Sequence, residues 1–585
     1  GVIINNSVRP GVSQLGGALT PNANLGGRSA SAILNEVTGG GRTRLDGYTE
    51  IFGARADYIL ANPNGISING GGFINTPRVT LSTGRPRSEA DALTALDVTG
   101  GDILVEGQGV NADNVDAFTL VTRAARINAD IHARRLDIVT GRNSYNPADG
   151  SVTALAPDGS GAPAVSIDSS ALGGMYAGRI RLVGTEKGVG VNLQGLARAT
   201  EDIFLHADGD ISVQGGASAD RALSVTSESG DVGLGGSLAA GGSGAVTAAG
   251  AVRLGSATGG SPVLYASDLS VTAGSLDNAG GRIMAEGELR VSVGGEAVNS
   301  GVMQSGAGMV VNADGAVRNS GEMLAGEGLD VAAGGGVANS GTMHAGGAAA
   351  VRSAQGVAND GDMLAGESLS VEAGTDVANT GRLQSGGSVS VRTAGGLENG
   401  GEILARGPVD LESAGAAANT GAVRSEAGVR VASQALANSG AVEAGGDLSV
   451  AVTAGLENSG TLFSGGDAGL RAEAVRNEAA GDVASLGSLS VEAGADLENS
   501  GSFGAGDTLG VHAGGNLRNA GGMLARSSLE VESRGSLENT GVLHSGGSGS
   551  CRAGTFLANS GDIMGAADLF LGVASDMRNS GVIQS

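Results

Sequence analysis

The chain has no tryptophan, one cysteine and one lysine in 585 residues, and aromatic side chains make up 2 % of it. The lone Cys551 excludes an intramolecular disulfide framework and any zinc site of clustered thiolates. Lys187 precedes Gly188, so a phosphate-binding loop ending in Gly-Lys-Ser/Thr is ruled out. Five histidines, His132, His206, His344, His512 and His544, stand apart from one another with no HExxH or other metal spacing. No apolar run reaches the roughly 18 residues of a membrane-spanning helix, and no stretch has the period and length of an amphipathic one. No catalytic residue, cofactor or metal is expected.

Positive charge is also scarce. Against 60 acidic residues stand 35 basic ones, a net charge of −25. Such a surface repels nucleic acid and other polyanions, so neither nucleic acid nor a membrane span is expected among its partners.

What the chain has in abundance is glycine, 108 residues, and asparagine at a fixed interval. Asn278, Asn299, Asn319, Asn339, Asn359, Asn379, Asn399, Asn419, Asn438, Asn458, Asn477, Asn499, Asn519, Asn539, Asn559 and Asn579 follow one another every 19 to 22 residues, and nearly all precede a small residue and then Gly. A period this strict is the signature of a solenoid. Within one period, residues 361–380, an apolar pair (Met363, Leu364), an alternating run (Leu369, Val371, Ala373) and Val377 with Asn379 are separated by Gly-centred turns. Period-two alternation in short pieces is strand chemistry. Three strands and three turns close into one coil, giving an all-β, right-handed parallel β-helix of roughly 20 residues per coil. The repeated Asn either stacks into an amide ladder through Asn319, Asn339, Asn359, Asn379, Asn399, Asn419, Asn499, Asn519, Asn539 and Asn559, or fills a left-handed turn position before Gly. Both readings are structural.

The first half is less regular. Eight of the ten prolines precede residue 164, and eight of the thirteen aromatics lie within the first 204 residues. Strands are expected at 103–105, 115–122, 131–140 and 180–183, with an exposed excursion over 141–163. The chain opens with Gly1-Val2-Ile3-Ile4, in mid-strand and without Met, as an N-terminally incomplete sequence would.

Asn62-Pro63-Asn64-Gly65-Ile66, continuing through Gly70-Gly71-Gly72-Phe73-Ile74-Asn75-Thr76-Pro77-Arg78 to Thr80-Leu81-Ser82-Thr83-Gly84, closely resembles the secretion domain of two-partner-secretion exoproteins, the filamentous haemagglutinin family. Asn5-Asn6-Ser7, residues 13–19 and 32–37, and residues 167–176 agree, and the Asn-Ser-Gly period is similar to that family's haemagglutinin repeats. The resemblance implies a secretion domain at 1–215, junction coils at 216–270 and β-helical repeats at 271–585. It implies export through a dedicated outer-membrane transporter whose periplasmic domains read Asn62, Pro63, Asn64 and Gly65. A second recognition motif is degenerate here, Asn22-Ala23-Asn24-Leu25, so the transporter set is completed by Asn22, Asn24 and Leu25. A Cys-x-x-Cys pair found in some relatives is replaced by Ile68 and Gly71.

The product implied is a secreted or cell-surface, non-catalytic protein of a Gram-negative bacterium. Its stalk serves adhesion to a host-cell or bacterial receptor, or carries the toxin of a contact-dependent inhibition system. A β-helical glycan-active enzyme is the third reading, set against carboxylates such as Asp362 and Glu367 that fall in surface turns. Arg123, Arg126, Arg134 and Arg135 either bind an acidic glycan or pair with Asp130 and Asp137. Cys551 is expected to be a small buried thiol.

Overall fold

A computed structural model describes residues 1–89, 92–255 and 259–585. They form two compact units, Gly1–Gly306 and Ala307–Ser585.

In the second unit each coil is built from three strands. In one coil these are Asp362–Ala365, Ser368–Ala373 and Val377–Asn379. Each pairs in parallel with its equivalent twenty residues on, as in Asp362↔Arg382, Leu369↔Val389 and Val377↔Leu397. Alternation decides which side chains go inside: Met363, Ala365, Leu369, Val371, Ala373 and Val377 are all buried, and the residues between them are not. Stacking puts like on like, so the interior is a set of apolar columns. Burying one Val or Leu side chain contributes about 1.5–3 kcal/mol, and this recurs in every coil. Phe503 takes the Met363 position of its coil, fully buried between Val483 and Met523. Cys551 occupies the Val371 column between Val531 and Leu571, and burial pushes its thiol up to about 12.

The turn after each Asn needs Gly for lack of space. A Cβ on Gly361 would sit 2.1 Å from the Gly341 carbonyl oxygen, and one on Gly341 would sit 2.1 Å from that of Gly321. The left-handed reading of the repeated Asn is not what is found, since Asn75, with φ 58°, is the one non-glycine residue with positive φ among the described residues.

Instead the asparagines point inward. Asn339 Nδ2 donates to Asn359 Oδ1 at 2.8 Å, to the Asp362 carbonyl at 3.1 Å and to the Gly341 carbonyl at 3.2 Å. The same 2.7–2.9 Å amide-to-amide bond recurs at each step from Asn319 to Asn579 in this unit. The main-chain carbonyl is used as well: Asn339 O accepts from the N–H groups of Asp360 and Gly361. Outward-facing side chains pair between coils, as in Arg382–Glu402 at 3.3 Å and Arg392–Glu412 at 3.4 Å, exposed contacts of small net stability.

The first unit uses the same coil with wider faces. Ile131–Thr140 pairs in parallel with Met175–Gly184, and Tyr58, Phe73 and Phe118 fill its interior with ring centroids 6.5 and 5.8 Å apart. From Ile203 to Ser270 the coils continue without the asparagine column, which begins in this unit with Asn278 donating to Asn299. Strand Ala117–Thr122 is buried at every position because a second layer covers its outer side. That layer is a four-stranded antiparallel sheet of Arg85–Glu89, Ala92–Val98, Asn143–Tyr145 and Val152–Ala154. Leu96, Val98 and Tyr145 pack from it onto Ile59, Ala61, Val121 and Val139. Part of the expected exposed excursion over 141–163 is therefore two strands of this covering sheet, with Asn143 and Tyr145 buried.

Candidate functional site

The Asn62–Gly65 turn is built on its first residue. Asn62 is fully buried, and its Nδ2 donates to the Gly41 carbonyl at 2.9 Å and to Thr43 Oγ1 at 2.8 Å. Its Oδ1 accepts the Asn64 N–H at 2.9 Å, and its carbonyl accepts the Gly65 N–H at 3.0 Å, which closes the turn. Gly65 has φ +105°, and a Cβ there would lie 2.9 Å from both Arg42 and the Asp102 carbonyl. Arg42 braces that side through Asp102 at 2.8 Å and the Ile66 carbonyl at 2.8 Å. Pro63 is half-buried and Asn64 exposed, its Nδ2 resting on the Gly39 carbonyl at 2.7 Å. The four residues thus divide into a buried anchor and brace, Asn62 and Gly65, and a presented pair, Pro63 and Asn64.

Asn22–Leu25 repeats this arrangement without its proline. Asn22 Oδ1 accepts the Asn24 N–H at 3.0 Å, its Nδ2 donates to the Asn5 carbonyl at 2.9 Å, and its carbonyl accepts from Leu25 N–H at 3.3 Å. Residues Ala23–Leu25 form one turn of 3-10 helix capped by Asn22. Ala23 in place of proline costs preorganisation of φ, while the hydrogen-bonded turn is kept. Asn24 is exposed and Leu25 half-buried. Asn22–Leu25 and Asn62–Gly65 are two turns of one kind on the same unit.

A third feature escapes motif reading. Glu50 is the one charged residue of strand Tyr48–Gly53 and is 4 % exposed. Its carboxylate accepts Ser13 Oγ at 2.6 Å and the N–H groups of Gln14 and Leu15 at 2.9 Å. Burial pushes the carboxyl up, but these three donors outweigh it and the net direction is down. Glu50 ties the hairpin Gly11–Ser13/Gly17–Leu19 to the coil. A lone acid amid Ile and Phe was the available signal.

The candidate ligand-binding arginines meet the expected pairing in part: Arg135 stays beside Asp137, whereas Arg123 and Arg134 find other partners. Arg123 pairs with Glu186 at 2.7 Å and Arg134 with Asp116 at 3.5 Å, while Asp130 Oδ1 accepts the Gly174 N–H and Asp137 lies among Arg181, Arg179 and Arg135. Sequence proximity misled here, because coil neighbours lie some twenty or more residues away. His344 and His544 are exposed on strands. Among the described residues no group of three or more His, Cys, Asp or Glu is placed to hold a metal, and no helix is long and apolar enough to cross a membrane.

The TPS secretion domain model matches residues 1–213, and the haemagglutinin repeat model matches residues 266–341, 311–381, 364–440, 420–501, 484–541 and 544–585. The 16S rRNA endonuclease CdiA of Enterobacter cloacae subsp. cloacae is 50 % identical over 214 residues, 36 % of this chain and 6 % of that protein. The tRNA nuclease CdiA of Escherichia coli strain NC101 is 46 % identical over 246 residues, 41 % of this chain and 7 % of that protein. A crystal structure of a filamentous haemagglutinin secretion domain is 36 % identical and covers 45 % of this chain and 85 % of that one, with a TM-score of 0.34. The matched part is thus a small fraction of these CdiA proteins. With a TPS secretion domain at its start and haemagglutinin repeats from residue 266 onward, the chain belongs to the two-partner-secretion exoproteins of the haemagglutinin-repeat family.

Proposed function

We propose that this chain is the exported, non-catalytic stalk of a large exoprotein, secreted by or displayed on a Gram-negative bacterium, with the division 1–215, 216–270 and 271–585 as its working parts. The secretion module engages the periplasmic domains of an outer-membrane transporter, and the coils hold a distal element away from the cell. The observation that carries this reading is the pair of Asx-type turns, each presenting an exposed asparagine on an anchoring one, Asn62 fully buried and Asn22 half-buried, followed by coils whose inward positions are packed with side chains. Asn64, Pro63, Asn24 and Leu25 are the residues presented to the transporter; Asn62, Gly65 and Asn22 hold them in place.

For the distal element, toxin delivery is favoured over adhesion by the relatives, whose names are those of nucleases and toxins. Adhesion to a host or bacterial receptor is the other use of the same stalk. The test of the common part is export from cells with and without the cognate transporter. Transporter-dependent release of the wild type, lowered by Asn64→Ala with the melting temperature unchanged, supports the assignment. Equal release by the variant removes Asn64 from it, and release without the transporter removes the assignment itself.

A further inference from the structure

The covering sheet of the first unit has two unlike edges. One, Arg85–Glu89, carries Pro86 between two arginines, residues that deter strand pairing. The other, Val152–Ala154, pairs only with Asn143–Tyr145. The bonds Asn146 N to Ser151 O and Leu155 N to Arg142 O bracket that pairing, so in the alternating antiparallel pattern Thr153 faces Ser144. The N–H and C=O groups of Val152 and Ala154 consequently point away from the sheet, and no partner strand meets them among the described residues.

Beside this edge lies a groove of about 560 Å³. Its floor is the outer side of the coils where the covering sheet stops: Arg179, Arg181 and Val183 at alternate positions of one strand, then Phe204 and His206. The Val139 column, covered by the sheet, continues into Val183 and His206, which the sheet does not reach. Arg179 lies 5.1 Å over the Phe204 ring, and its Nε–H is buried without a hydrogen-bond partner. Arg181 already has Asp137 beside it on the paired strand, which leaves Arg179 as the cation with an unmet donor. Asp208 and Glu228 line the groove too, but Asp208 is held by Gly188 N–H and Ser229 Oγ, and Glu228 faces His206 at 3.8 Å.

We propose that this groove is a docking site for an extended segment of another protein, which adds as a fifth, antiparallel strand along Val152–Ala154. The open main-chain groups supply affinity, and the floor selects alternating side chains, carboxylates for Arg179 and Arg181 and an apolar residue for Val183 and Phe204. The site stands independently of which transporter exports the chain.

The test uses the 585-residue chain and two synthetic eight-residue peptides, one alternating Glu with Val and one alternating Lys with Val, with binding followed by fluorescence anisotropy. The Glu peptide binds and the Lys peptide does not. Arg179→Glu with Arg181→Glu weakens the Glu peptide by about tenfold or more, as loss of desolvated charge contacts does. Ala154→Pro removes one outward N–H without touching the bonds to Asn143–Tyr145, and it weakens binding to a similar degree while circular dichroism and melting stay unchanged. Equal binding of both peptides, or binding indifferent to Ala154→Pro, overturns the proposal. So does a dimer of the chain in sedimentation that Ala154→Pro abolishes, since the edge then serves a second copy.

Discussion

Asn62 anchors its turn with both halves of a buried amide, so Asn62→Ala leaves the Gly41 carbonyl and the Asn64 N–H without their partner. Each lost hydrogen bond costs about 0.5–1.5 kcal/mol at these partly exposed partners, and the expected outcome is a lower melting temperature together with lower export. Asn64→Ala removes two bonds of an exposed side chain, to the Gly39 carbonyl and to Asn62 Oδ1, and lowers export with little change in melting temperature. Scanning calorimetry beside a secretion assay separates the two. At Glu50 the direction of the shift fixes a pH response. Its folded value lies below its unfolded one, so the stability it lends is present above the unfolded value, about 4.3, and fades as pH falls through the folded one. Hydrogen exchange of Gly11–Leu19 should therefore accelerate on acidification below about pH 4, and Glu50→Gln should show fast exchange already at neutral pH with little further change. Cys551, buried with its thiol pushed up to about 12, should react with a thiol reagent at pH 8 only at the rate at which its coil opens.

A coil stands or falls with its neighbours. Asn419→Ala takes an acceptor from Asn399 and a donor from Asn438, two buried amides left short at once. The expected loss is about 2–5 kcal/mol, concentrated in the adjoining coils, whereas Asn579→Ala, at an exposed position, should cost little. Amide exchange resolved along the sequence checks both. Much of this element was legible beforehand: the period, the parallel coil and the inward side of each strand all follow from alternation between Gly turns, because the same small problem is solved again every twenty residues. The covering sheet was not legible. Nothing in the local pattern of residues 141–163 reveals that Tyr145 rests on Val121 and Val139, a contact set by coil stacking. The partners of Arg123 and Arg134 were missed for the same reason, and in the turn motif the spacing showed which residues matter without showing that Asn62 is buried while Asn64 is presented.

For the molecule as a whole, each coil completes its backbone bonds only when the next is laid on it, so assembly is expected to pass along the chain in sequence order. Leu369→Pro removes a buried side chain and a ladder N–H from the middle of one coil. During export, residues beyond that coil should reach the surface late or not at all, measured as protection of the C-terminal half from external protease in intact cells. Unchanged protease access to that half would contradict sequential coil addition.

The inward amides carry a consequence for how such a chain changes length. From Asn339 to Asn559 each one donates toward the coil that follows and accepts from the coil before. Duplicating or deleting one whole coil, counted from Asn to Asn whatever its 19 to 22 residues, therefore returns the same donor to the same acceptor, and the apolar columns close over the splice. Recombination that keeps this register is thus chemically silent, and the number of coils becomes a quantity that selection can adjust one at a time without designing a new core.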